Sequence, residues 1–236
     1  MCLDDGKGCE WPTPMARAKR VQVPDLIRHV MSRGNARMPI FLDDCDYRQF
    51  VYQLGDVLEE FSVVCWNYCV MPNHYHLTVQ PTRANLSAAI RKLNGIYGQW
   101  WNRRHGRVGH VFQGRFKDQI VDRDRYLMAL SKYVVMNPVR AGLVNQPEEW
   151  PWSSYRATAG LSPAPAFLSV ESTLRLFGDE PEPALQARFA GTIAIHVDPS
   201  LTDRIRSSER VLGTRAFKDL LASAAPISNA TIGLLI

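Results

Sequence analysis

The stretch from Ser62 to Val79 constrains the fold most tightly. Residues 62–70 (SVVCWNYCV) are dense in β-branched and aromatic side chains and read as a strand. Met71-Pro72-Asn73 interrupts it, because proline cannot donate to a ladder and Pro-Asn is turn chemistry. From His74 to Val79 apolar and polar residues alternate again, which predicts the returning strand of a hairpin ended by Pro81.

The flanking segments extend this hairpin into a longer pattern. Residues 25–31 (DLIRHVM) alternate as a strand and run into the turn signal Ser32-Arg33-Gly34-Asn35. Asp43 and Asp44 are candidate caps for a helix to about Glu60, with Phe50, Val51, Leu54 and Leu58 on its apolar stripe. Asn85 is a candidate cap for a helix over 86–104, striped by Leu86, Ile90, Leu93, Tyr97 and Trp101. Val111 to Val121 reads as a further strand interrupted by Gly114. A helix from 123 to about 137 follows, stopped by Pro138. The order β-α-β-β-α-β, then a helix, is the ferredoxin-like pattern of an α+β domain. It predicts an antiparallel sheet with helices on one face. Residues 1–24 read as a flexible basic arm, 25–157 as the main domain, and 158–236 as a small, mostly helical C-terminal appendage with an amphipathic piece at 208–221.

Composition narrows the partner. The 236 residues are 46% hydrophobic and 22% charged, ordinary for a globular protein. No apolar run reaches the roughly 18 residues of a spanning helix, and the N-terminus lacks the basic-then-apolar order of a signal peptide. The expected location is the cytoplasm, with no membrane partner. A formal charge of +5 favours nucleic acid. The five cysteines form no CxxC pair, which argues for free thiols over zinc or disulfides. Cys65 and Cys69, four apart in a strand, are expected to share a buried face.

Two constellations carry chemistry. His74 and His76 are two apart in a strand, so both imidazoles face one side and Tyr75 faces the other. Imidazole suits divalent transition metals, and an oxygen from Asn or a carboxylate can complete a site. Tyr133 and Asn137 lie four apart on a helix and share a face. Each piece alone has a plainer reading: a polar strand face, and a core aromatic followed by a cap. Together they supply a nucleophile and a Lewis acid, the two parts that phosphodiester transfer needs.

The run Val70-Met71-Pro72-Asn73-His74-Tyr75-His76-Leu77 resembles the MPNHxH signature of REP-associated tyrosine transposases and related single-tyrosine transposases of the HUH type. Further stretches resemble the same family in the same order. They are His29 to Asn35, Phe112-Gln113-Gly114-Arg115-Phe116-Lys117, Tyr133 to Val144, and Pro151-Trp152-Ser153-Ser154-Tyr155. The resemblance implies an HUH endonuclease fold. It implies His74, His76 and Asn137 as ligands of Mg²⁺ or Mn²⁺, with Asn137 standing where many relatives carry Gln. It implies Tyr133 as the nucleophile that forms a 5′-phosphotyrosine and releases a 3′-hydroxyl. The substrate implied is single-stranded DNA near a hairpin, usually a repetitive extragenic palindrome. Relatives include monomers and homodimers, so both states stay open. Tyr75 stands where the family usually has an aliphatic residue. Tyr126 shares the Tyr133 face but lies two turns from Asn137, so Tyr133 is preferred.

Candidate DNA contacts are Arg103, Arg104, Arg107, Arg115 and Lys117, beside Trp100 and Trp101, since phosphates meet cations and bases stack on indoles. Arg33 and Arg140 adjoin the motifs, and Arg17, Lys19 and Arg20 lie in the basic arm. A catalytically silent, sequence-specific DNA-binding protein of the same fold is the alternative. An RNA-binding module has the same sheet order but lacks its RNP-type aromatic motif here.

Overall fold

A computed structural model describes residues 22–194, 199–207 and 209–224. Strand β1 (Ile27–Arg33) is followed by helix α1 (Asp44–Glu60), the hairpin β2 (Val63–Met71) and β3 (His74–Pro81), helix α2 (Leu86–His105), strand β4 (Lys117–Val121) and helix α3 (Arg123–Val135). These are the expected elements in the expected order. With a fifth strand, β5 (Val211–Leu212), they form one sheet in the order β2-β3-β1-β4-β5, with β1 to β4 paired antiparallel.

Local chemistry explains the boundaries. Asp43 caps α1, its carboxylate accepting from the amides of Cys45 and Asp46, and Asp44 and Asp46 sit in the first turn where the helix dipole favours anions. Pro72 and Asn73 form the two-residue turn of the hairpin, with Met71 paired to His74. Gly106 ends α2 in the left-handed conformation, and Arg103, Arg104 and His105 fill its last turn. Proline at 138 cannot continue the α3 ladder. The chain restarts there as a single turn, α4 (Asn137–Arg140), with Pro138 near its start.

Both faces of the sheet are covered. On one face α1 and α2 pack Phe50, Leu54, Ile90, Leu93 and Tyr97 against Val30, Tyr75, Leu77 and Val79. On the other, α3 packs Leu127, Leu130, Tyr133 and Val134 against Ile27, Trp66, Cys69 and Met71. Helices on one face alone is therefore corrected: the expectation holds for α1 and α2, while α3 crosses to the opposite side. Asn67 donates to the Ser131 hydroxyl at 2.7 Å across that second interface.

Three further details differ from the sequence reading. Strand β1 begins at Ile27 instead of residue 25, because Asp25 takes a positive φ of 61°. Strand β4 begins at Lys117 instead of Val111. Gly114 turns with a φ of 62°, and residues 111–116 form a loop over the end of β1, where the Gln113 amide donates to the Arg33 carbonyl at 2.8 Å. A bulge between Cys65 and Asn67 resets the pairing of β2 with β3. Cys65 thus lies in the α1/α2 core and Cys69 in the α3 core, each buried but on opposite faces.

The segment after Trp150 runs along both sheet edges. Residues 150–154 run along β2: the Val70 amide donates to the Trp152 carbonyl (2.8 Å) and the Trp150 indole donates to the Val70 carbonyl (3.0 Å). Thr173 donates to the Trp66 carbonyl at 2.7 Å. Helices α5 (Tyr155–Thr158), α6 (Val170–Leu174) and α7 (Glu182–Ala194) gather a small core of Tyr155, Leu174, Phe177, Leu185 and Phe189 around Val135 at the end of α3. After α8 (Pro199–Arg206), the two-residue strand β5 (Val211–Leu212) pairs parallel with β4, and α9 (Arg215–Ala224) follows. Unpaired sheet edges invite intermolecular pairing; this segment covers part of the β2 edge and leaves a strand of only two residues at the other. Among the described residues no helix is long and apolar enough to cross a membrane.

Gly34, where β1 ends, sits against the carbonyl oxygen of Met38 and, 2.8 Å from where a Cβ would stand, Cγ2 of Ile40. We predict that Gly34→Ala destabilises the protein by about 1–3 kcal/mol. Urea denaturation measures this, and an unchanged midpoint would show that the loop yields freely.

Candidate active site

The face of the sheet that meets α3 carries an unusual set of side chains. On β3 it presents His74 and His76, while Tyr75 points into the opposite core and donates to Asn94 Oδ1 at 2.7 Å. The register sets Met31 opposite His76, Arg33 opposite His74, and Gln119 opposite His29. Period-two alternation then places His29, Met31 and Arg33 on the same face as the two histidines. From above, α3 lowers Tyr133, whose ring centroid lies 5.8 Å from that of His76 and 6.1 Å from that of His29. Asn137 and Arg140 follow on the turn after α3.

These groups line one cavity of about 810 Å³. His29, His74, His76, Tyr133 and Asn137 border it, with Arg33, Lys117 and Arg140 among its cations and Ile205, Arg206 and Ser207 forming a wall from the C-terminal segment. The structure thus brings together the nucleophile candidate, all three candidate ligands and three of the candidate DNA contacts.

The ligand set fits a divalent cation. Asn73 Nδ2 donates to the Arg37 carbonyl (2.9 Å), which turns its Oδ1 onto His74 Nδ1 at 2.6 Å. An amide oxygen only accepts, so His74 carries its proton on Nδ1 and keeps the Nε2 lone pair. Asn137 Nδ2 donates to the carbonyls of Tyr133 (2.9 Å) and Val134 (3.3 Å), leaving Oδ1 as a free donor atom. The rings of His74 and His76 stand 5.0 Å apart and nearly perpendicular. Among the described residues no three His, Cys, Asp or Glu side chains converge as a metal cage, so an amide oxygen is the third protein donor on offer.

Burial keeps the imidazoles neutral. It pushes His29 down to about 4 against a weak opposing bond from Gln119. His74 is pushed to about 4 by burial and then by the charge of Arg33. His76 falls well below the usual histidine range through burial, then through its neighbours His74, His29, Arg33 and Arg140. Neutral imidazole is the form that ligates metal. The Arg140 guanidinium lies over the Tyr133 ring, 4.5 Å from its centroid.

The other candidates are placed elsewhere. Arg104 makes a two-pronged bond to Asp43 (2.8 and 2.9 Å), also binds Asp46, and lies over Trp100, tying the end of α2 to the start of α1. Arg103 and Arg107 are exposed at that same helix end. Arg115 lines a separate cleft of about 670 Å³ against α2. Trp101 is buried in the core and Trp100 half-buried beside it. Arg17, Lys19 and Arg20 lie outside the described residues. Tyr126 is away from the cavity and accepts from Arg204 at 2.7 Å.

Two residues of the site were not singled out from sequence. His29 Nε2 lies 2.9 Å from His76 Nδ1, and its Nδ1 lies 3.2 Å from Gln119 Oε1. The signal for His29 was its even spacing from Arg33 on the first strand. Gln119 gave none, because its role depends on strand pairing.

The chain resembles known proteins in sequence and in fold. Residues 22–137 match the family model described as transposase IS200 like. A Haemophilus influenzae protein named as a REP-associated tyrosine transposase is 26% identical over 149 residues, covering 53% of this chain and 84% of its own. The solved structure of a REP-associated tyrosine transposase bound to a REP hairpin aligns with a TM-score of 0.53 at 19% identity, over 63% of this chain and 89% of that one. That likeness establishes the shared fold.

Three histidines that are neutral in the fold and cationic in the unfolded chain make stability fall with acidity. The unfolded chain binds more protons between about pH 6.5 and the folded values near 4, so stability decreases as pH drops through that window. Denaturant titrations of metal-free protein should show stability falling by on the order of 1 kcal/mol per pH unit through this window. A flat profile from pH about 7 to about 4.5 would contradict the buried, neutral assignment.

Proposed function

We propose that this protein nicks single-stranded DNA beside a hairpin and joins the 5′ phosphate covalently to Tyr133, a reading supported by the match of residues 22–137 to the transposase IS200 like family model. The observation that carries the reading is the meeting of Tyr133, His74, His76 and Asn137 at one basic cavity. A relative of the same fold binds a REP hairpin, which supports a hairpin of that kind as the substrate.

The step begins with the Tyr133 phenolic oxygen attacking the phosphorus of a phosphodiester seated in the cavity. A bond from the tyrosine oxygen to phosphorus forms, and the bond from phosphorus to the 3′ oxygen breaks. The phenolic proton leaves, and the departing 3′ oxygen gains a proton to become a hydroxyl. The phosphotyrosine conserves the bond energy, so a later 3′-hydroxyl can attack it and restore a phosphodiester. Arg33 and Arg140 offer cations where negative charge develops on the phosphoryl group. Arg140 over the Tyr133 ring also holds that side chain against the cavity wall. His74 Nε2, His76 Nε2 and Asn137 Oδ1 would hold Mg²⁺ or Mn²⁺, which when bound polarises the phosphoryl oxygen.

The test is a denaturing gel of protein with labelled single-stranded hairpins from the flanks of its own gene, with Mg²⁺, Mn²⁺ or chelator. A metal-dependent covalent adduct is expected from the wild type, and Tyr133→Phe should abolish it while hairpin binding persists. Binding without an adduct across several hairpins and both ions would instead assign a DNA-binding protein that does not cut.

A further inference from the structure

We infer that Gln119 is a positioning residue for His76. Acting through His29, it sets which ring nitrogen of His76 carries the proton, and the backbone carbonyls of Arg204 and Glu209 hold it in the orientation that does so. The inference rests on the reading of His76 as a metal ligand.

The chain of bonds runs inward from the C-terminal segment. Gln119 Nε2 lies 2.7 Å from the Glu209 carbonyl oxygen and 3.3 Å from that of Arg204. Carbonyls only accept, so this end of the amide must be the NH₂ group. Its oxygen is thereby turned onto His29 Nδ1 at 3.2 Å, and that oxygen also only accepts. His29 Nδ1 is therefore the protonated nitrogen, and in the neutral ring Nε2 holds the lone pair. That lone pair faces His76 Nδ1 at 2.9 Å. The two ring planes differ by 10° with centroids 5.1 Å apart, so the rings meet edge to edge and the bond lies in both planes. His76 Nδ1 must then donate, which leaves the His76 Nε2 lone pair free to bind a cation.

Each link forces the next because every group offers only one way to satisfy its neighbour. Turning the Gln119 amide over would invert the whole series and end with a proton on His76 Nε2, where no cation can bind. Two backbone carbonyls select the productive arrangement. One, from Arg204, lies in α8; the other, from Glu209, lies where the chain enters β5, next to the Arg210 carbonyl that accepts from the Ile120 amide at 2.8 Å. The C-terminal segment is thus part of the site. Partners that orient a ligating histidine through its other nitrogen govern metal affinity without touching the metal.

The test uses the full chain, free of metal and labelled with ¹⁵N-histidine. Long-range proton–nitrogen correlation spectra near neutral pH report which ring nitrogen is protonated, and a Mn²⁺ titration followed by electron paramagnetic resonance reports affinity. The wild type should show protonated Nδ1 on both His29 and His76. In Gln119→Leu a detectable fraction of the His76 proton should move to Nε2, and Mn²⁺ affinity should fall roughly 10–100-fold. A residue that merely braces the fold would leave the tautomer unmoved. Protonated Nε2 on wild-type His76, or a variant whose His76 tautomer is unchanged whatever its affinity, overturns the proposal. Should Gln119→Leu fail to fold, the wild-type spectrum alone decides. Wild-type protein with the expected tautomers but no Mn²⁺ uptake supports the relay and overturns the metal-dependent function instead.

Discussion

The pairing register of β1 with β3 and β4 is the constraint on which the site depends. Side chains alternate across a strand, so a slip of one residue would send every one of them to the other face. With Met31 opposite His76, three strands turn His29, Arg33, His74, His76, Lys117 and Gln119 to the side that α3 overlies. The same alternation sends Val30, Tyr75, Leu77 and Val79 into the core beneath α1 and α2. That core holds the register. Slipping β3 by one place would bury two histidines in it and expose a tyrosine, a leucine and a valine. The apolar face therefore positions the polar one, and Tyr75 serves the site by being its anchor on the far side.

The opposing half of the site depends on a break. Were α3 to continue, Asn137 and Arg140 would follow its helical course. Pro138 removes a donor and ends the ladder, and the chain turns at Met136 into the short α4. Asn137 then spends its amide nitrogen on the last carbonyls of α3, which leaves its oxygen outward. Arg140 comes back over the Tyr133 ring. The C-terminal segment completes the enclosure: it braces the β2 edge through Trp150, Trp152 and Thr173, and extends the β4 edge through β5.

Much of this was legible in the sequence where a local period carries the information. The two-residue spacing of His74 and His76 and the four-residue spacing of Tyr133 and Asn137 each specify a face within one element, and both pairs border the cavity. Features that need two elements were not legible. Nothing local tells α3 to choose the face opposite α1 and α2. Residues 111–116 carry strand-like composition, yet Gly114 turns them into a loop. The bulge at Cys65–Asn67 is invisible to a strict alternation rule, which is why Cys65 and Cys69 were expected together and lie apart. Among the cations, proximity in sequence to the motifs predicted Arg33 and Arg140 at the cavity. Membership of the basic cluster at the end of α2 did not separate Arg104, which is consumed by Asp43 and Asp46, from exposed Arg103 and Arg107. His29 and Gln119 acquire their meaning only from the strand they face.

The cavity gathers neutral imidazoles, an amide and arginines, and the carboxylate in its lining, Asp118, is paired with Arg28. That lining suits the proposed substrate. A phosphodiester brings its own negative charge, so acidic walls would repel it, whereas Arg33, Lys117 and Arg140 attract it. Burial, and then the charge of Arg33 at His74 and of His74, His29, Arg33 and Arg140 at His76, disfavours protonation of both rings and so keeps their lone pairs available. Two amides, Asn73 and Gln119, each pinned by backbone carbonyls, then decide which nitrogen of each ring holds that lone pair. On the proposed reading, the burial that keeps these histidines neutral both suits them to ligate a cation and makes stability depend on pH.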